Sequence, residues 1–212
     1  MQQRITLTNE NIPQTAQAAA SVIRNGGCVL YPTDTLYGLG VDTFSKTALE
    51  LLYSIKGRDE GKSVHSVVSS TNEAKRYVVV TDAAQKLADK FLPGKLTLIM
   101  SRVDVVPSLP ALGGGKFGIR IPDNQFCLAL ARELGTPYTA TSANKSGMTP
   151  ERDVDAILEQ LAGAAKNIDL IIDGGTLPKS LPTTVVDTSV DQPHILREGA
   201  IPTITIANAL AE

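Results

Sequence analysis

Residues 31–40 read YPTDTLYGLG, and they follow a short apolar run, CVL at 28–30, that predicts a buried strand. The stretch carries two threonines, an aspartate and two tyrosines within seven residues, and its glycines, Gly38 and Gly40, allow another backbone or a ligand to approach closely. This layout is typical of a ligand-binding edge at the end of a strand. An ordinary polar turn has the same composition, so the stretch alone leaves both interpretations open.

Helix and strand patterns intermix along the rest of the chain. Ser45, Asn72 and Asp82 are predicted to cap three helices, because their side chains accept hydrogen bonds from the first free backbone N–H groups. Several neighbouring strands are joined by short loops, which favours an α/β fold with a mixed sheet over a purely parallel one. We find no repeat, low-complexity tract or linker, so residues 1–212 are predicted to form a single domain.

The composition excludes several classes of protein. The net charge is −2, so no global basic field attracts nucleic acid, and any polyanion contact must come from a local cluster. Cys28 and Cys127 are the only cysteines and lie in apolar runs, which indicates buried free thiols rather than a disulfide framework. No apolar segment approaches the roughly 18 residues of a membrane-spanning helix, and the N-terminus lacks the apolar core of a signal peptide. We therefore expect a cytoplasmic protein without a membrane partner.

Three cationic side chains are candidates for an anion site. Lys56 and Arg58 flank a glycine at the end of a predicted helix, where they could grip a phosphate as a point charge and a planar fork. A solvated loop at a helix C-terminus explains the same pair. Arg120 lies within the short apolar strand GIRIP at 118–122, so it must be paired, reach solvent or face a cleft.

A second polar segment, residues 139–147, reads TATSANKSG after a predicted strand. Its hydroxyls, amides and backbone N–H groups could bind phosphate oxygens, or they could form an ordinary turn. Neither a Walker A loop nor a Rossmann glycine pattern is present. His65 and His194 are interpreted as structural residues. A site rich in hydroxyls and cations but poor in general bases favours nucleotidyl transfer, usually with Mg²⁺, over acid–base chemistry.

These segments together resemble one family, the YrdC-like threonylcarbamoyl-AMP synthases. The resemblance extends over about residues 23–199, and its strength comes from an ordered set of motifs rather than from any single one. The motifs are GG at 26–27, YPTDTLYGLG at 31–40, KGR at 56–58, PGKLT at 93–97, GIRIP at 118–122, TSANKSG at 141–147, DGG at 173–175, PTTVVD at 182–187 and LREG at 196–199.

The resemblance implies a reaction and a fold. Such enzymes combine L-threonine, bicarbonate and ATP into threonylcarbamoyl-adenylate and pyrophosphate, and Mg²⁺ accompanies the ATP. Threonylcarbamoyl transferase proteins use the product to modify the adenosine beside the anticodon of tRNA, so tRNA or RNA is an implied partner for a local basic patch. The implied fold is a twisted, open α/β sheet with a concave basic face around a cavity.

The resemblance also implies the role of individual residues. The nucleotide would be held by five of them: Lys56, Arg58, Ser142, Asn144 and Arg197. The first two would neutralise phosphate charge and so act as the catalytic pair. L-Threonine would be held by four others: Thr33, Arg120, Thr141 and Thr184. No protein ligand to a metal is assigned.

Two points depart from the family pattern or stay open. Residues 59–65 read DEGKSVH, where the family often carries a proline and then a Lys/Asn-Pro-Leu run. This difference could alter the cover over the nucleotide or its affinity, and a paralogue acting mainly as a nucleotide- or RNA-binding protein is the alternative function. Asp34 either accepts a hydrogen bond from a neighbouring N–H group or lies near the metal.

Overall fold

A computed structural model of the chain describes residues 2–58, 63–107 and 115–211. The helices there are α1 (Ile12–Arg24), α2 (Lys46–Lys56), α3 (Thr71–Ala74), α4 (Asp82–Phe91), α5 (Gln125–Leu134), α6 (Val154–Leu161) and α7 (Thr203–Ala211). The strands are β1 (Gln3–Thr6), β2 (Val29–Tyr31), β3 (Gly38–Gly40), β4 (His65–Val67), β5 (Val78–Val79), β6 (Leu96–Arg102), β7 (Lys116–Arg120), β8 (Tyr138–Thr139), β9 (Thr141–Ser142), β10 (Leu170–Asp173), β11 (Thr184–Asp187) and β12 (His194–Arg197).

The strands form two mixed sheets, which confirms the α/β prediction and adds a division that the sequence did not reveal. The first sheet has the order β1-β10-β2-β3-β9, with parallel pairs at β1–β10 and β10–β2 and antiparallel pairs beyond. The second has the order β12-β11-β6-β7-β4-β8, and β5 pairs with β6. Within it, β11–β6 and β7–β4 are parallel.

The chain crosses from one sheet to the other at residues 138–142. There β8 pairs with β4 of the second sheet, and β9 pairs with β3 of the first. The hydroxyl of Thr139 donates to Leu39 O at 2.9 Å and accepts from Val41 N at 3.0 Å, while Ala140 N donates to His65 O at 2.7 Å. These bonds place the ends of β3, β4 and β9 side by side.

Alternate residues of the buried strands enter two hydrophobic cores, because successive side chains point to opposite faces of a sheet. Val29 and Tyr31 pack with α1 and α5 in one core, whereas Leu30 packs with α2 and α6 in the other. The cysteines are buried free thiols, as predicted.

Polar caps begin several of the helices. Ser45 caps α2 as predicted, with its hydroxyl accepting from Ala48 N at 3.3 Å. The other two predicted caps are wrong by one or two residues, since Ser70 caps α3 and Thr81 caps α4. No helix in the described ranges combines the length and apolar character needed to cross a bilayer.

Candidate functional site

A cavity of about 160 Å³ opens where the two sheets meet. Its wall includes residues from the 31–40 stretch, from the ends of β4, β7 and β9, and from the segments before β11 and at the end of β12. Six of the nine predicted site residues line it: Thr33, Arg58, Arg120, Thr141, Ser142 and Arg197. The structure thus brings together side chains that lie more than 160 residues apart in the chain.

The cavity is rich in positive charge. Arg58, Arg120 and Arg197 line it, and no carboxylate is among its described lining residues. Arg58 NH2 donates to Ser63 O at 3.1 Å, and Arg197 NH2 donates to Thr183 O at 2.9 Å, so these two guanidinium groups contact neutral acceptors. Burial, and then the positive charge of Arg120, lower the pKa of Arg197. Such a surface favours an anionic ligand.

Arg120 differs from the other two because it is paired. Its NH2 donates to Asp34 Oδ1 and, at 2.8 Å, to Thr35 Oγ1. Both charged side chains are almost fully buried, at 9% exposed for Arg120 and 8% for Asp34. The sequence left Asp34 either as an acceptor for a neighbouring N–H group or as a residue near the metal. The structure shows the acceptor, with the guanidinium of Arg120 as the donor. Arg120 Nε and Asp34 Oδ2 are buried without a hydrogen-bond partner among the described residues.

Thr33 shapes the turn that follows β2. Its hydroxyl donates to Leu36 O at 2.7 Å and accepts from Thr35 N at 3.0 Å. The hydroxyl therefore closes the turn from within while lining the cavity. This is the turn that places Asp34 and Thr35 against Arg120.

Three predicted ligands lie off the cavity lining: Lys56, Asn144 and Thr184. Lys56 is 3% exposed, and its ammonium donates to Ser142 O and Asn144 O. Thr184 is fully buried, with its hydroxyl donating to Ile201 O at 2.6 Å and accepting from Gly199 N and Ile201 N at 3.0 Å. The ammonium of Lys56 and the hydroxyl of Thr184 are thus hydrogen-bonded to backbone groups of the protein. Their predicted contacts with a ligand stay predictions.

Other lining residues were not predicted to hold a ligand, among them Thr35, Thr97 and Thr183. Thr97 faces Arg120 across the β6–β7 pair, a register that no local pattern reveals.

His65 was interpreted as structural, yet its half-buried side chain lines the cavity. Burial, followed by the charges of Arg197, Arg58 and Arg120, lowers the pKa of His65 to about 4. Of the divergent segment 59–65, residues 59–62 lie outside the described part of the chain.

A family model described as "Telomere recombination", covering the Sua5, YciO and YrdC proteins, matches residues 21–199. The chain belongs to the Sua5/YciO/YrdC family. Within it, a Methanocaldococcus jannaschii protein is 38% identical over 181 residues, which cover 85% of this chain and 83% of that protein. The Pyrococcus abyssi protein named threonylcarbamoyl-AMP synthase is 31% identical over 195 residues, 92% of this chain but 56% of its own length.

Solved structures of the Sua5/YciO/YrdC family share the fold. Pyrococcus abyssi Sua5 complexed with L-threonine superposes with a TM-score of 0.87 at 29% identity, covering 99% of this chain and 60% of that one. Escherichia coli YciO superposes with a TM-score of 0.85 at 30% identity, covering 97% of this chain and 100% of that one. The chain therefore spans about the whole of YciO but less than two thirds of the solved Sua5.

The described residues offer no protein cage for a metal in this member of the family. No group of three or more histidine, cysteine, aspartate or glutamate side chains is placed to hold an ion within the described ranges. Asp34, whose two chain neighbours Thr33 and Thr35 line the cavity, pairs with Arg120.

Proposed function

We propose that this protein is an L-threonylcarbamoyladenylate synthase, a nucleotidyltransferase that forms threonylcarbamoyl-AMP and pyrophosphate from L-threonine, bicarbonate and ATP. The observation that carries the proposal is the division of charge in the cavity. Among the residues that the structure describes, no carboxylate pairs with Arg58 or Arg197, whereas Arg120 forms a neutral pair with Asp34. Cations without a carboxylate partner suit a polyanion such as ATP. A guanidinium–carboxylate pair suits a zwitterion such as threonine.

The nucleotide would occupy the side of the cavity lined by Arg58, Arg197 and Ser142. Guanidinium groups match phosphate oxygens as planar forks, and their charge stabilises the negative charge that develops on the leaving pyrophosphate. Mg²⁺ would enter with the ATP and neutralise part of the same charge. The threonyl carbamate and the α-phosphate would then meet between the two sides of the cavity.

Threonine would occupy the side lined by Arg120, Thr33 and Thr141. A carboxylate can accept from the guanidinium of Arg120, and the hydroxyls can bind the polar groups of the amino acid. The relative solved with L-threonine, Pyrococcus abyssi Sua5, supports this ligand. Lys56, Asn144 and Thr184 would support the wall from behind, since they do not line the cavity.

The chemistry balances in two steps. The deprotonated nitrogen of threonine adds to the carbon of bicarbonate and water leaves, which gives the carbamate. A carbamate oxygen then attacks the α-phosphorus, and the bond to pyrophosphate breaks. The adenylate is an activated acyl donor, so a transferase acting on tRNA would consume it. The contribution of the protein is mainly positioning and charge stabilisation.

The test is an incubation of the purified protein with Mg²⁺, ATP, L-threonine and labelled bicarbonate, followed by assays for pyrophosphate and for a labelled adenylate. Arg58→Ala should reduce turnover at least ~10-fold, equivalent to about 1.4 kcal/mol of transition-state stabilisation. Arg24→Ala is the control, because Arg24 lies on α1 and pairs with Glu133. Folded protein that releases no pyrophosphate above background would contradict the proposal. Nucleotide or tRNA binding without turnover would instead support the alternative, a binding protein.

A further inference from the structure

Lys56 is the last residue of α2, and its side chain connects that helix to a neighbouring turn, residues 142–146. The ammonium donates to Ser142 O, to Asn144 O at 2.9 Å and to Asn144 Oδ1 at 3.4 Å. An ammonium has three N–H donors, so these three acceptors occupy all of them. The backbone adds a fourth link, since Ser146 N donates to Lys56 O at 2.8 Å.

The 142–146 turn is also held from within by Asn144. Asn144 Oδ1 accepts from the hydroxyl of Ser142, and its Nδ2 donates to Lys145 O at 2.9 Å and to Met148 O at 2.7 Å. Asn144 is 7% exposed and Lys56 is 3% exposed, so both are shielded from the cavity. Ser142 is the member of this group that lines the cavity.

We propose that Lys56 is a positioning residue, which holds the 142–146 turn so that Ser142 faces the cavity, and that it does not itself bind the nucleotide. The inference deepens the proposed synthase function and reassigns a residue for which the sequence predicts a phosphate contact. If Lys56 moved to a phosphate, the carbonyls of Ser142 and Asn144 would lose their ammonium donor while staying shielded from water. Arg58, two residues further on, already lines the cavity.

Amine labelling of the unmodified protein tests the placement without relying on activity. Acetic anhydride reacts with uncharged amines, and burial lowers the pKa of Lys56 to about 8, so this amine would label fast if it were reachable. Lys46, at the other end of α2 with its side chain 78% exposed, is the matched control. We expect Lys56 to label at least ~10-fold more slowly than Lys46 at pH 8, with and without Mg²⁺-ATP.

Two labelling outcomes would overturn the proposal. One is fast labelling of Lys56 in the free protein with strong protection by Mg²⁺-ATP, as expected of a phosphate ligand. The other is labelling of Lys56 that accelerates when Mg²⁺-ATP binds, because the amine would then leave its acceptors. The labelling rate measured without nucleotide tests the placement of Lys56 even if the protein turns over no ATP. Failure of the synthase function and failure of this inference are therefore distinguishable.

Enzyme kinetics give the second test. Lys56→Met should raise the KM for ATP about 10-fold or more, and Lys56→Arg should not rescue it, since a planar fork cannot reach the same three acceptors. Adding Ser142→Ala to Lys56→Met should then change the KM less than threefold, because a Ser142 that is already misplaced contributes little to the binding of ATP. Multiplicative effects of the two substitutions, in variants with cooperative melting, would show independent contacts and refute the positioning role.

Discussion

The half-buried histidine in the cavity, His65, gives a sharp prediction about pH. Burial of the imidazole, and then the charges of Arg197, Arg58 and Arg120, lower the pKa of His65 to about 4 in the folded protein. In the unfolded chain an imidazole has its ordinary pKa, about 6.5. Between these two values the unfolded chain binds more protons than the folded one. The contribution of His65 to stability is therefore fully present above about pH 6.5 and is lost as the pH falls towards 4.

The size of the effect follows from the two pKa values. Lowering the pH from 7 to 5 protonates most of the unfolded imidazole and little of the folded one, which costs about 2 kcal/mol. The open side of the cavity screens the ring, so the expected loss is between about 1 and 2 kcal/mol. His65→Gln removes this titration, and its free energy of unfolding should fall by that much less over the same pH range.

Urea unfolding at pH 5, 6 and 7 measures the difference. The chain has only two histidines, which makes His194→Gln the matched control. His194 is exposed and lies off the cavity lining, so that variant shows what replacing a histidine away from the cavity does to stability. The carboxylates titrate in all three proteins and cancel in the comparison. If His65→Gln and the unmodified protein lost equal stability between pH 7 and 5, the lowered pKa of His65, and with it the reasoning from burial and the three arginines, would be refuted.

Two further substitutions test the wall of the cavity. Arg120→Ala leaves the carboxylate of Asp34 buried and unpaired, so we expect a loss of about 3–5 kcal/mol in urea unfolding, and a loss below about 1 kcal/mol would contradict the ion pair. Gly38→Ala places a Cβ 2.8 Å from Tyr31 Cζ and should cost about 1–3 kcal/mol. Gly163→Ala, whose Cβ would meet nothing within 4 Å, is the control, and equal stability of the two variants would argue against crowding.

The predicted ligands divide between cavity and interior for local reasons that the sequence does not display. Lys56 and Arg58 are two residues apart, but Gly57 between them has a left-handed backbone with φ 55°, at which α2 ends. The side chains on either side of it consequently reach different places. Thr183 and Thr184 divide in the same way, because successive side chains of an extended segment point to opposite faces.

The division into two sheets was equally hidden. Strands β8 and β9 have two residues each, which is too short for a period-two pattern to register. The buried strand β2 was predicted from the apolar run at residues 28–30. The predicted caps of α3 and α4 missed Ser70 and Thr81 by two residues and one residue, since several polar side chains there could accept the same N–H groups. The charge of Arg120 left pairing, solvent and a cleft open as its surroundings, and only the fold shows its position in the cavity wall and its pairing with Asp34.

The crossing of the chain at residues 138–142 has a thermodynamic consequence for any ligand. Ser142 belongs to the first sheet, whereas Arg120 and Arg197 belong to the second, and all three line one cavity. A ligand that contacts both sides adds its binding free energy to the free energy that keeps the sheets together. Separation of the sheets would in turn destroy the binding site. Substrate affinity and resistance to local opening at this junction should therefore rise and fall together, because both depend on the equilibrium between joined and separated sheets.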